Sequence, residues 1–68
     1  MRLADVRRLL KRKCRDAGGL RRFGAAHGVS GQYISQVLKG ERPPSDRLCI
    51  AIGIRHDGER WVREAENG

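Results

Sequence analysis

No stretch of this 68-residue chain approaches the roughly 20 consecutive apolar residues that a membrane-spanning helix needs. Its first residues, Met1-Arg2-Leu3-Ala4-Asp5, lack the apolar run and small-residue cleavage site of a secretory signal, so a cytoplasmic protein with no membrane partner is expected. Cysteine is scarce. Cys14 and Cys49 are too few for a disulfide framework. With His27 and His56 they show none of the local C-x-x-C or H-x-x-x-H spacing of a zinc site, so no metal is expected. Both cysteines sit among apolar neighbours, where the residue packs as a small hydrophobe. There is no internal repeat and no low-complexity tract. Paired carboxylates, a Cys/His constellation and a glycine-rich phosphate loop are also missing. The chain is too short to wall a substrate pocket, so neither an enzyme, a cofactor nor a small-molecule substrate is expected.

Acidic residues are few as well. Eight Asp and Glu face fifteen Lys and Arg, for a net charge of +7. The excess is uneven. Residues 1–42 carry 11 basic and 3 acidic side chains, whereas residues 43–68 carry 4 and 5. That asymmetry predicts one half facing a polyanion and another half with a different task. Nucleic acid is the commonest partner for such a pattern, and a membrane surface the second. Hydrophobic residues make up 38% of the chain, which supports a globular fold rather than a disordered tail. At this length the core is small and the domain must be well idealised, stapled or paired with a second copy.

Apolar spacing predicts four helices. Leu3, Val6, Leu10 and Cys14 recur at i, i+3, i+7 and i+11, with Leu9 beside them, so a helix is expected from Leu3 to Ala17. Arg8, Lys11, Arg12 and Arg15 form its opposite, basic face, which is either simply solvated or in contact with nucleic acid. Gly18-Gly19 ends this helix. A second helix runs from Gly19 to His27, with Leu20, Phe23 and Ala26 or His27 inward, and Gly28 stops it. His27 is read as a packing residue. Ser30 caps a third helix that continues to Lys39, with Ile34, Val37 and Leu38 inward. Pro43-Pro44 forbid helix continuation. Ser45 then caps a fourth helix, with Asp46 at its positive end and Leu48, Cys49, Ala51 and Ile52 inward, which Gly53 ends.

The tail admits two readings. Asp57-Gly58 is a two-residue hairpin signal, with Ile54-Arg55-His56 and Glu59-Arg60-Trp61-Val62 as its strands. The alternative is a fifth helix from Asp57, with Trp61, Val62 and Ala65 on one side.

The distinctive unit is the segment from Leu20 to Lys39, which has the pattern of a helix-turn-helix. Gly24 lets the second helix pass close to the start of the third. Gly28 supplies the positive φ of a short turn between steeply crossed helices, and Val29 plugs the gap beneath it. Ile34 and Val37 seat the third helix on the core. Gly31, Gln32, Tyr33, Ser35, Gln36 and Lys39 are left facing out, a surface of small and amide side chains suited to a DNA major groove.

This pattern resembles the Cro and repressor family of phage and bacterial helix-turn-helix regulators, from about Leu3 to Ile54. The segment Gly40-Glu41-Arg42-Pro43-Pro44-Ser45 is similar to that family's loop into its fourth helix. Two departures stand out. The stretch from Pro44 to Gly53 is about a turn shorter than in the longer repressors, and Leu20 stands where many relatives carry a phosphate-binding Gln. Both features resemble the compact phage- or prophage-borne Cro-like regulators, which often end in a strand. The resemblance implies a mainly α, compact four-helix, lambda-repressor-like domain over residues 1–54. A tail, residues 55–68, holds a short C-terminal strand or hairpin.

The resemblance also implies roles. Gln32 and Gln36 match base-reading positions, and a Gln amide can pair bidentately with adenine. Ser30, Gly31 and Ser35 would let the helix backbone approach the bases. Tyr33 would reach a phosphate or a thymine methyl, and Lys39, Arg42, Arg21 and Arg22 would meet phosphates, which positions the domain without reading sequence. Trp61 is read as core or dimer contact rather than a base-stacking group, and Trp61 and Val62 as the dimer interface, by strand pairing. The expected function is a sequence-specific transcriptional regulator, a repressor, binding palindromic double-stranded DNA as a homodimer in a bacterial host cell or its nucleoid. The rivals are a non-specific architectural nucleic-acid binder and an antitoxin- or anti-repressor-type interaction module.

Overall fold

The computed structural model describes residues 2–57 and 60–63. Among them the order is α1 (Leu3–Asp16), α2 (Leu20–His27), α3 (Gly31–Leu38), α4 (Asp46–Ala51), β1 (Ile54–Asp57) and β2 (Arg60–Arg63). The chain is mainly helical, with a two-stranded antiparallel sheet after the last helix.

Each helix starts and stops where local chemistry directs. In α1 the Asp5 carboxylate accepts the Arg2 backbone N–H at 3.0 Å. It ends with the Gly19 N–H bonded back to the Cys14 carbonyl at 2.8 Å, which satisfies one of the carbonyls a helix end leaves open. The α3 end repeats this device, with the Glu41 N–H on the Gln36 carbonyl at 2.9 Å. Ser30 and Ser45 cap α3 and α4, accepting from the Tyr33 and Leu48 amides at 3.1 and 3.2 Å.

The core gathers Val6, Leu10 and Cys14 from α1, Phe23 from α2, Ile34 and Val37 from α3, Leu48 and Cys49 from α4, then Ile52 and Ile54. The stripe on α1 is thus a true core face, although Leu3 at its end stays 37% exposed. On α2, burial falls on Phe23 and Gly24, while Ala26 and His27 are exposed. His27 still packs its ring against Phe23, with centroids 4.5 Å apart. Neither cysteine is in a disulfide. Burial pushes both thiols above the ordinary thiol range. At Cys49 a hydrogen bond from Trp61 opposes that rise and the nearby Asp46 charge adds to it.

After α4 the chain forms a hairpin and not a fifth helix through residues 60–63. Gly53, at φ 80°, breaks α4, and Ile54 enters the core with no exposed surface. The pairing is Ile54 with Arg63, Arg55 with Val62, His56 with Trp61 and Asp57 with Arg60. Asp57 is therefore the last residue of β1, and the two connecting residues are 58–59 instead of Asp57-Gly58. The expected turn was one residue too early. Moving the turn by one residue moves the pairing by two, so Ile54 and Trp61 share a face in either register and the alternation of the strands does not choose between them. Gly58 and Glu59, and the expected Ala65 contact, lie outside the described residues.

Trp61 packs against the core and meets the His56 ring at a tilt of 45°, with centroids 5.0 Å apart. Val62 pairs with Arg55 on the other side of the hairpin, because neighbouring strand residues point to opposite faces. Among the described residues, no helix is long and apolar enough to cross a membrane.

Candidate functional site

The polar face of α3 begins with a turn that the sequence makes tight. Gly28 ends α2 at φ 71°, ψ 32°, the left-handed conformation that L side chains resist, and its N–H bonds the Gly24 carbonyl. The Val29 N–H meets the same carbonyl at 2.8 Å. Gly24 is buried, and a Cβ built there would collide with the Val29 carbonyl oxygen and approach Ile34 Cδ1 to 3.2 Å. The three residues Gly28-Val29-Ser30 thus carry the chain from α2 to α3 with Val29 packed against the core below.

With Ile34 and Val37 buried, Gln32, Gln36 and Lys39 at i, i+4 and i+7 fall along the opposite side of α3. Gln32 and Lys39 are exposed and Gln36 is half-buried. A shallow hollow of about 260 Å³ lies on this side, lined by Ser30, Gln32, Tyr33, Gln36 and Arg42. Five of the ten residues expected to contact nucleic acid are therefore brought together around one surface feature, although Arg42 comes from the loop six residues past Gln36.

A hydrogen bond explains how that loop is held. The Tyr33 hydroxyl donates to the Pro43 carbonyl at 2.7 Å. Its single proton is committed there, so Tyr33 offers a phosphate no free donor. Instead it ties the loop next to Arg42 onto α3.

The other expected residues lie around the hollow. Gly31 is half-buried, facing Leu20 and Arg21 of α2, which places Arg21 beside the start of α3. Arg22 lies back over Gly18, away from the hollow. Ser35 is half-buried on α3 and does not line it. Trp61 and Val62 belong to the hairpin. Arg21, Arg22, Lys39 and Arg42 are exposed and form no ion pair among the described residues, where the ion pair is Arg8 with Asp5 at 3.9 Å. The start of α2 at Gly19 has no side-chain cap, so its first-turn amides have no side-chain acceptor from that residue.

Sequence reasoning missed Arg47. From the first turn of α4 it reaches the Gly28 carbonyl, a long contact at 3.5 Å, and so braces the α2–α3 turn. No pattern of spacing signals a partner 19 residues away. The described residues hold no group of three or more His, Cys, Asp or Glu placed to bind a metal ion.

Comparison with family models, with curated proteins and with solved structures returned no match.

Proposed function

We propose that this chain is a duplex-DNA-binding domain of the helix-turn-helix type, in which α3 enters the major groove and reads base edges, and that it acts as a transcriptional regulator, a repressor, on a two-fold symmetric site. One observation carries the reading. The outward side of α3 presents two amide side chains one turn apart, Gln32 and Gln36, in a polar hollow shared with Arg42. An α-helix fits a major groove, and a Gln amide donates and accepts in the pattern that adenine displays there.

The surroundings supply the phosphate contacts that such a helix needs. Arg21 flanks the start of α3, and Lys39 and Arg42 flank its end. The uncapped start of α2 offers backbone N–H groups at the positive end of the helix dipole, where a phosphate is favoured. This takes the place of the Gln that many similar regulators carry at the Leu20 position. Three exposed cations around α3, Arg21, Lys39 and Arg42, imply a binding constant that falls with salt at a log–log slope of about −2.7 per protomer. A non-specific architectural binder shares the charge but has no need of the paired amides.

The discriminating experiment compares the wild-type chain with a Gln32→Ala, Gln36→Ala variant on a preferred duplex and on random duplex. The variant is expected to lose about 1–3 kcal/mol of preference for each amide removed, with its salt slope and random-duplex affinity unchanged. Preference retained in full by the double variant would refute base reading by these residues.

A further inference from the structure

We propose that Arg7 of α1 joins Lys39 and Arg42 in a subsite for a backbone phosphodiester of the duplex, built around Gly40 at the end of α3. This rests on the duplex-binding reading above and adds a contact from α1 to it. Its test uses random-sequence duplex, so it does not depend on whether Gln32 and Gln36 read bases.

Arg7 stands between the core stripe of α1 and the basic side formed by Arg8, Lys11, Arg12 and Arg15. It is half-buried where those four are exposed. Its side chain crosses to the end of α3. Gly40 follows that helix at φ 80°, and a Cβ built there would fall on Arg7 Nη1 and lie 3.6 Å from Arg7 Cζ. Residue 40 therefore needs to be glycine twice over, for its backbone conformation and for the guanidinium that occupies its side-chain space.

Closing the end of α3 does not account for Arg7. The carbonyls of Ser35, Gln36 and Val37 are taken by the backbone amides of Lys39, Glu41 and Gly40. Among the described residues Arg7 itself has neither a hydrogen bond nor an ion pair. A guanidinium carries five N–H donors, and here they are held in place without an acceptor. Holding them beforehand lowers the ordering cost of binding an anion.

Charge around Gly40 points to the same ligand. Lys39 precedes it, Arg42 follows two residues later, and both are exposed. Three cations from α1, the end of α3 and the loop thus meet at one place. Glu41 is the acid in that stretch, and it forms no ion pair among the described residues. Like charges so gathered repel in the free chain, and a bound anion removes that repulsion. Arg42 also lines the hollow with Gln32 and Gln36, so a phosphate held here lies at the rim of the face that α3 presents.

The salt dependence of binding to random-sequence duplex tests this. With Arg7 as a fourth phosphate contact, the wild-type slope steepens from about −2.7 to about −3.6. Arg7→Gln keeps most of the stem. Its slope is expected to be shallower by about 0.9 and its affinity about fivefold lower at about 0.15 M salt. Its melting temperature should not fall. Arg7→Lys keeps the charge and should restore the slope. Arg8→Gln, on the exposed side of the same helix with Asp5 at 3.9 Å, should leave the slope unchanged. An Arg7→Gln chain with the wild-type slope, or one whose lost affinity follows a lowered melting temperature, would overturn the proposal and leave base reading intact. A wild-type chain that binds no duplex overturns both, and a slope near −3.6 without sequence preference overturns base reading alone.

Discussion

Tyr33 shows what a single atom does here. Its ring lies half-buried against the core and its hydroxyl holds the Pro43 carbonyl, so it links α3 to a loop that has no helical bonds of its own. Tyr33→Phe deletes one oxygen and keeps the packing. The expected cost is about 0.5–1.5 kcal/mol of stability, the net worth of one exposed hydrogen bond. Faster amide hydrogen exchange at Glu41 and Arg42 should accompany it. On the proposed reading, affinity for every duplex falls modestly while base preference stays, because Arg42 loses its fixed position and Gln32 and Gln36 do not. A changed base preference would mean that Tyr33 itself reads DNA. The residue types around α3 were legible in the sequence. The strut was not, because a hydrogen bond over ten residues leaves no periodic trace.

At the scale of elements, sequence and structure agree where the signal is local. Ser30 and Ser45 cap the helices they precede, Gly28 takes the left-handed turn, and Val6, Leu10 and Cys14 fall on the core. Disagreement comes where tertiary contacts decide. The hairpin turn lies one residue later than the Asp57-Gly58 signal, and since both registers keep Ile54 and Trp61 on one face, the apolar alternation could not separate them. On α4 the inward set of Leu48, Cys49, Ala51 and Ile52 leaves out Ile50, which stays exposed. The close passage of α2 over the turn is the feature on which the α2–α3 angle depends. Gly24→Ala tests it. The added methyl meets the Val29 carbonyl, which is backbone and cannot swing aside. Destabilisation of about 1–3 kcal/mol is expected. In a domain this size that lowers the melting temperature by roughly 4–8 °C per kcal/mol, read in a thermal scan. A melting temperature unchanged by Gly24→Ala would show that the turn has slack.

The whole molecule measures 28 × 28 × 17 Å, with a radius of gyration of 11.1 Å. Charge is also unevenly placed along the chain. The strongly basic part carries α1, α2, α3 and the loop to Arg42, and the near-neutral part carries α4 and the hairpin. The basic side of α1, with Arg8, Lys11, Arg12 and Arg15 exposed, faces away from the stripe that meets the core, so on the proposed reading it would act on a duplex chiefly through its field. The proposed function comes down to one claim, that α3 reads duplex sequence. Selection of bound sites from random duplex DNA by the intact chain tests it most directly. The account predicts enrichment of a short adenine-containing half-site, repeated with two-fold symmetry about 10 base pairs apart, centre to centre. A bound pool with no sequence enrichment over the input would contradict it.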